Sequence, residues 1–256
     1  MKCYALGAQT RSAEVMQAFC NGVGGEFYRH AEAEYEGGDI ALWGMLRGAK
    51  KLRAKCREAG NNYYAVDHAY IGRERFFRVT RNGFQQTEVF DAPKERFLAL
   101  KDRYQIDLKE WKTGGRYVLL ALSSPMNYEY FDNVGWQGVT TYQIRRHTDR
   151  KIIERPKGCR ERLQDQLAQA WCVVTHASIV AVDAVIAGVP VFMTGPSIAR
   201  PMGLSDLSRI ETPAHPERNR WLYSLAWAQF TISEMTKGVP KRWLDENAVD
   251  YDHYGL

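Results

Sequence analysis

The sequence of 256 residues has no long apolar segment and no paired cysteine motif. Its longest apolar runs are broken by polar or small residues well before membrane-spanning length, and the opening stretch MKCYALGAQTRSAEV lacks the hydrophobic core of a secretory signal. We therefore expect a cytoplasmic protein without a membrane partner. The five cysteines are scattered and form no CxxC pair, which predicts free thiols and neither a disulfide framework nor a zinc site.

Two common phosphate-binding motifs are also absent. No GxGxxG follows a predicted strand, and no GxxxxGK is followed by Ser or Thr, so the usual dinucleotide and P-loop signatures are missing. The glycine cluster at positions 22–25 follows a predicted helix, where a dinucleotide loop would follow a strand. The only DxD match is formed by Asp250 and Asp252, which we interpret as part of a tail. The sequence therefore predicts no bound metal.

The composition is that of an ordinary globular protein, with 45% hydrophobic and 25% charged residues. A formal net charge of +5 and a pI near 8.9 favour anionic partners. Nucleotides, polyanionic glycans and nucleic acids all meet that condition, so charge alone does not choose among them.

The stretch from Ala170 to Gly195, AWCVVTHASIVAVDAVIAGVPVFMTG, is typical of a buried strand, a turn, a short helix and a second buried strand. Ser178 occupies the expected N-cap of the helix, at the carboxyl end of the first strand, where open α/β sheets hold phosphates. Asp183 follows five residues later and could accept hydrogen bonds from a ribose. The alternative is that Ser178 only caps the helix and Asp183 is a solvated helix residue.

Predicted strands and helices alternate along the chain, which indicates the α/β class with two Rossmann-like lobes facing a cleft. We expect a first lobe over residues 1–112, a second over 113–214, and a terminal helical segment over 215–256. RYVLLALSS is the clearest strand, whereas RFFRVTRNGFQQT is less regular. The apolar residues between Trp221 and Met235 have mostly helical spacing, and core packing explains them.

The segment RERFFRVTR interleaves arginines with two phenylalanines. Arginines can neutralise phosphates while aromatic rings stack on bases, so this pattern is typical of a surface that binds a polyanion. Its alternation is equally typical of an ordinary half-buried strand.

Several motifs together resemble GT-B glycosyltransferases, in particular the capsule-type and phage-encoded members. THAS, the following acidic helix residue and AGVPVF resemble their C-terminal donor-binding lobe, and KIIERPKG resembles the strand and turn before it. The stretch AVDHAYIGRERFFRVTRNGFQ resembles part of the first lobe of phage relatives, and the segment from LSDLSRIETP to SEMTKG resembles the terminal helices. In this family a C-terminal helix often crosses back over both lobes, which we expect of residues 215–256.

The resemblance implies a metal-independent transferase that takes a nucleotide-sugar, with a UDP-sugar favoured, and needs no further cofactor. A helix N-terminus and basic side chains would stabilise the charge of the leaving diphosphate. The residues implied in donor binding are Arg155, Lys157, His176, Ser178 and Asp183.

Transfer with inversion needs a base in the first lobe, because the attacking hydroxyl must lose its proton. Asp67 and His68 end the predicted strand YYAV, so we expect at least one of their side chains to face the cleft. The alternative is that Asp67 caps the loop and His68 packs beneath Tyr70.

The resemblance to phage-encoded members, together with the basic first lobe, implies that the acceptor is a hydroxymethylated pyrimidine such as 5-hydroxymethylcytosine in bacteriophage DNA. The reaction would then take place in the host cytoplasm. The expected acceptor-binding residues are Tyr70, Arg73, Arg75, Arg78 and Arg81. Three alternatives remain open: a capsular or surface saccharide as the acceptor, a non-catalytic nucleic-acid-binding protein, and a nucleotide-sugar epimerase or similar enzyme. The sequence predicts no particular oligomeric state.

Overall fold

A computed structural model describes residues 1–5, 10–28, 34–45 and 49–247. The chain divides into two compact units, one formed by Met1–Gln86 with Trp227–Gly255 and the other by Thr87–Ala226. Asp250 and Asp252 lie outside the described residues. No helix in the described ranges is long and apolar enough to cross a membrane.

The described strands of the first unit form one mixed sheet in the order β10-β5-β4-β3-β1-β2. Its strands are β1 (Lys2–Tyr4), β2 (Glu26–Tyr28), β3 (Ile40–Trp43), β4 (Tyr63–His68), β5 (Phe76–Arg81) and β10 (Gln229–Thr231). Strands β4, β3, β1 and β2 pair in parallel in that order, whereas β5 is antiparallel to both β4 and β10. Parallel strands buried on both faces require apolar runs, and Ile40, Ala41 and Leu42 are fully buried.

The helices described in the first unit are α1 (Thr10–Gly22), α2 (Ala49–Glu58), α9 (Ile232–Thr236) and α10 (Val239–Glu246). Helix α1 packs on α9. At their contact a Cβ on Gly22 would lie 1.9 Å from the carbonyl oxygen of Met235, so only glycine allows this approach. Helix α9 begins with a capping box, in which the Thr231 hydroxyl accepts from the backbone N–H of Glu234 and the Glu234 carboxylate accepts from that of Thr231.

The second unit holds a parallel sheet in the order β7-β6-β8-β9. Its strands are β6 (Tyr117–Ala121), β7 (Lys151–Arg155), β8 (Ala170–Thr175) and β9 (Val191–Met193). Its α-helices are α3 (Glu95–Tyr104), α4 (Pro125–Tyr130), α5 (Trp136–His147), α6 (Leu163–Gln169), α7 (Val180–Ile186) and α8 (Asn219–Ala226). Val118, Leu120, Cys172 and Val174 are fully buried in its core.

The structure contains the predicted α/β elements and differs from the sequence interpretation in the stretch around RFFRVTR. This stretch is the regular strand β5, which pairs with two neighbours. The alternative of a half-buried strand is therefore correct about the strand but not about its burial, because all residues of β5 except Arg81 are buried. Helix α4 was not predicted, although Ser124 and Pro125 occupy its N-cap and first position, which is a favoured start.

The C-terminal segment also differs from the expected helix between Trp221 and Met235. The chain leaves helix α8 at Ala226, forms strand β10 and only then enters α9. In the observed division, residues 87–112 belong to the second unit, and the chain returns to the first unit at Trp227. The physical reason is strand pairing, because Phe230 aligns with Phe77 of β5 and both rings are buried.

Candidate functional site

The turn after β8 lies at the carboxyl edge of the parallel sheet in the second unit. The Thr175 hydroxyl donates to the carbonyl oxygen of Ala121 at 2.8 Å, which ties the ends of β8 and β6 together. The Ser178 hydroxyl accepts from the backbone N–H of Val180 at 3.3 Å. The N-cap of α7 is Ile179, one residue later than expected, so Ser178 caps the turn that leads into the helix. Ser178 and Asp183 are both half-buried.

The two predicted donor-binding cations have different environments. The Arg155 guanidinium donates to the carbonyl oxygen of Glu161 at 2.9 Å and to the side-chain oxygen of Gln166. It therefore anchors the segment that joins β7 to α6. Lys157 is exposed.

His176 is buried, with 5% of its surface exposed, inside a group of aromatic rings. The ring centroids of Phe131, Trp136 and Tyr128 lie 5.1, 6.0 and 6.3 Å from that of His176. A Cβ on Gly195 would come within 2.5–2.7 Å of three atoms of the imidazole, so this glycine makes room for the ring. Burial lowers the pKa of His176 to about 4, which leaves the ring neutral near pH 7.

The sequence interpretation missed the three aromatic residues around His176. They come from α4, from the start of α5 and from the short connection between these helices. Their sequence, NYEYFDNVGW, is rich in aromatic residues and directly follows the clearest predicted strand. Side chains after the carboxyl end of a parallel strand are positioned to contribute to a site, and that signal was available.

At the carboxyl end of β4 in the first unit, Asp67 is engaged in an ion pair. Its carboxylate lies 2.8 Å from the guanidinium of Arg78 and also accepts from the backbone N–H of His68 at 2.7 Å. Arg78 is 6% exposed, and its guanidinium lies over the rings of Tyr70 and Phe84. Asp67 therefore neutralises a buried cation.

Of the two residues predicted as the general base, Asp67 and His68, only His68 is exposed. Its ring meets Trp43 edge-on, with 5.5 Å between centroids. Trp43 ends the parallel neighbour β3, so both residues lie at the carboxyl edge of this sheet. Arg11 of α1, which was not predicted, lies over the ring of Phe77 at 5.4 Å and donates to the carbonyl oxygen of Glu74.

Tyr70 is 1% exposed, and burial raises its pKa to about 12. Its backbone N–H and that of Ile71 both donate to the side-chain oxygen of Gln229, at 3.0 Å each. The Gln229 amide nitrogen in turn donates to the carbonyl oxygen of Ile71 at 2.9 Å. Tyr70 is therefore a core residue beside a clamped turn, and its ring offers no surface for an acceptor.

Four residues of the segment predicted to bind a polyanion are not available for that role. Phe76 and Phe77 are 8% and 1% exposed, so neither ring can stack on a base. Arg78 is buried against Asp67, and Arg81 lies 3.3 Å from the carboxylate of Asp245. Of the predicted acceptor-binding cations, only Arg73 and Arg75 are exposed.

A cavity of 440 Å³ in the first unit is lined by Lys2, Asp39, Lys241 and neighbouring residues. It lies at the amino ends of β1, β2 and β3, away from the edge that carries His68. Lys2 pairs with Glu36 and Lys241 with Asp245. Within the described ranges, no group of three or more His, Cys, Asp or Glu side chains is placed to hold a metal ion.

We expect Asp67→Ala to lower the free energy of unfolding by about 2 kcal/mol, because it leaves the buried guanidinium of Arg78 unpaired while Asp67 itself is partly exposed. Asp91→Ala is the matched control. The Asp91–Arg220 pair has a similar separation of 2.7 Å but is exposed, so its loss should cost less than about 0.5 kcal/mol. Urea unfolding of both variants measures the difference, and equal losses would contradict the assignment of Asp67 to a buried pair.

No family model matches the sequence, and no curated protein matches it. Two solved structures from Thermosulfurimonas dismutans are similar in fold. The KpsC β-Kdo 2,7-transferase structure is 10% identical, with a TM-score of 0.53 over 95% of this chain and 100% of its own. The KpsC β-Kdo 2,4-transferase structure is 13% identical, with a TM-score of 0.52 over 89% of this chain and 91% of its own. The chain therefore shares the α/β fold of these two transferase structures along nearly its whole length.

Proposed function

We propose that this protein is a glycosyltransferase of the GT-B type that transfers a sugar from a nucleotide-sugar to a hydroxyl of a saccharide. The first unit would bind the acceptor and the second unit the donor. The observation that carries the proposal is the fold similarity to two Kdo transferase structures over 95% and 89% of this chain.

The carboxyl edge of the second sheet supports donor binding, since open parallel sheets bind nucleotides outside the carboxyl ends of their strands. Ser178 is half-buried in the turn after β8 and can offer its hydroxyl to a phosphate oxygen. Asp183, half-buried in the next helix, would accept from ribose hydroxyls. The exposed ammonium of Lys157 would balance the negative charge of the donor phosphate, while Arg155 would position the segment that carries Lys157.

For the acceptor, His68 is a better candidate base than Asp67. The imidazole of His68 is exposed at the carboxyl end of β4, whereas the Asp67 carboxylate is occupied by Arg78. In an inverting reaction, His68 would remove the proton of the attacking hydroxyl. Asp67 would then act indirectly, through its hydrogen bond to the backbone N–H of His68.

A saccharide acceptor is favoured over a DNA base by two observations. The two similar structures described above are Kdo transferases, and in this chain the two phenylalanines expected to stack on bases are buried. Arg73 and Arg75 remain exposed and would suit an anionic saccharide.

The test begins with donor binding. We expect calorimetry with CMP, UDP and GDP to detect one preferred nucleotide, and Ser178→Ala to weaken its binding about tenfold through loss of a hydrogen bond to a charged oxygen. Ser208→Ala is the matched control, because Ser208 is exposed in a short 3-10 turn of the same unit and should bind normally. Equal affinities of the two variants would contradict the placement of the donor at Ser178.

Turnover then identifies the acceptor. The protein is incubated with activated sugars of the preferred nucleotide, including activated Kdo, and with either Kdo-containing oligosaccharides or DNA that contains 5-hydroxymethylcytosine. A mass increase on the oligosaccharide supports the proposal. An increase on the DNA nucleoside alone would replace the saccharide by a DNA acceptor, and absence of binding to every nucleotide would overturn the glycosyltransferase proposal.

A further inference from the structure

The imidazole of His176 has one nitrogen with a hydrogen-bond partner and one without. Nδ1 lies 3.3 Å from the hydroxyl oxygen of Thr194. Nε2 is fully buried and has no hydrogen-bond partner among the described residues. A buried polar nitrogen without a partner is rare in folded proteins, because it has given up water without replacement. Such an atom at the carboxyl edge of a parallel sheet points to a ligand.

The protonation of the ring follows from a chain of three residues. The indole N–H of Trp136 can only donate, and it donates to the Thr194 hydroxyl oxygen at 2.6 Å. The hydroxyl hydrogen of Thr194 then needs an acceptor, and Nδ1 of His176 is the only one in reach within the described part of the chain. If Nδ1 accepts, the neutral imidazole carries its proton on Nε2. The unpartnered atom is therefore a hydrogen-bond donor.

We propose that the Nε2–H group of His176 is a preset donor for an oxygen of the nucleotide-sugar, with Trp136 and Thr194 acting as positioning residues that fix its tautomer. This inference rests on the proposed function and assigns part of its donor recognition. A neutral N–H donor suits an anionic oxygen, of either a donor phosphate or a sugar carboxylate, without carrying a buried positive charge.

The surroundings of the ring define the side from which a ligand would enter. Gly195 packs against the imidazole and is buried, and Tyr128 and Trp136 are 7% and 3% exposed. Phe131 is the partly exposed member of the three rings, and it meets the imidazole edge-on with an angle of 72° between the ring planes. The ligand oxygen would therefore approach past Phe131.

The tautomer is tested first, on the complete protein without ligand. Nitrogen-15 NMR of the imidazoles should show a protonated Nε2 and an unprotonated Nδ1 for His176, assigned by loss of the signals in His176→Gln. Thr194→Val should abolish this fixed pattern, and Thr194→Ser should preserve it, because serine keeps the hydroxyl. A proton on Nδ1 in the unmodified protein would overturn the inference.

The ligand is tested by adding the nucleotide that calorimetry selects, and then its sugar conjugate. We expect the Nε2 resonance to shift on binding of at least one of them, and His176→Phe and Thr194→Val to weaken that binding about tenfold while Thr194→Ser restores it. Binding with normal affinity and an unchanged Nε2 resonance would overturn this inference and leave the proposed function standing. Failure of all nucleotides to bind, with the predicted tautomer present, would overturn the donor assignment together with the proposed function.

Discussion

Gly188→Ala is expected to lower the free energy of unfolding by about 4 kcal/mol, because two separate costs add at this position. Gly188 has φ of +72°, a left-handed conformation that costs an L-residue about 1–2 kcal/mol. A Cβ there would also lie 2.0 Å from the carbonyl oxygen of Glu110, which is backbone and cannot rotate away. Overpacking of this kind costs about 1–3 kcal/mol.

The same segment is held by backbone hydrogen bonds, so it has little freedom to relax. The N–H of Lys112 donates to the carbonyl oxygen of Gly188 at 2.7 Å, and that of Lys109 to Ile186 at 3.0 Å. Gly158→Ala separates the two costs. Gly158 has φ of +81° but nothing within 4 Å of its Cβ position, so only the conformational cost applies. Denaturant unfolding that gave equal losses for the two variants would show that the close approach of Glu110 contributes nothing.

Acid is expected to destabilise the protein by about 3 kcal/mol through His176 alone. Burial lowers the folded-state pKa from 6.5 to about 4, a difference of about 2.5 units at about 1.36 kcal/mol each. Because the unfolded chain takes up the proton first, the stability due to the neutral ring is complete above pH 6.5. It is lost as the pH falls, and the loss is complete below about pH 4.

The measurement compares urea unfolding at pH 7 and pH 4.5 in the unmodified protein and in His176→Gln. Glutamine is neutral at both values, so the variant should lose less stability on acidification by about 2–3 kcal/mol. The pKa values of Asp206 and Glu211 are lowered by hydrogen bonds that their carboxylates accept from Ser208 and Arg150, respectively, and their acid losses are common to both proteins. Identical pH dependence would mean that His176 is not held in its neutral form.

The βαβ unit from Ala170 to Met193 could be predicted because its physics is local. Parallel strands buried on both faces need short apolar runs, and Gly188 with Pro190 ends the helix between them. The burial of RFFRVTR, in contrast, depends on a partner strand that is distant in the sequence. Phe76 and Phe77 are both buried because β10, some 150 residues later, pairs with this strand, and no pattern within the segment encodes that partner.

The candidate site residues likewise divide into those that local sequence places and those whose contacts depend on distant segments. Ser178 could be placed at the start of a helix from its spacing, to within one residue. The partner of Arg78 could not be predicted, because Asp67 faces it only through the antiparallel register of β4 and β5. The aromatic group around His176 depends on how α4 and α5 pack over the sheet, which the sequence shows only as a run of aromatic residues.

The second unit is formed by one continuous segment and the first unit by two, and this difference sets the order in which they can be completed during synthesis. The second unit is continuous from Thr87 to Ala226, so all its contacts exist once that stretch has left the ribosome. The first unit, although it begins earlier, stays one strand short until β10 is made, and its 70–71 turn lacks the Gln229 clamp until then. Until residue 231 emerges, β5 presents an unpaired strand edge beside Phe76 and Phe77, and such an edge favours aggregation of the nascent chain.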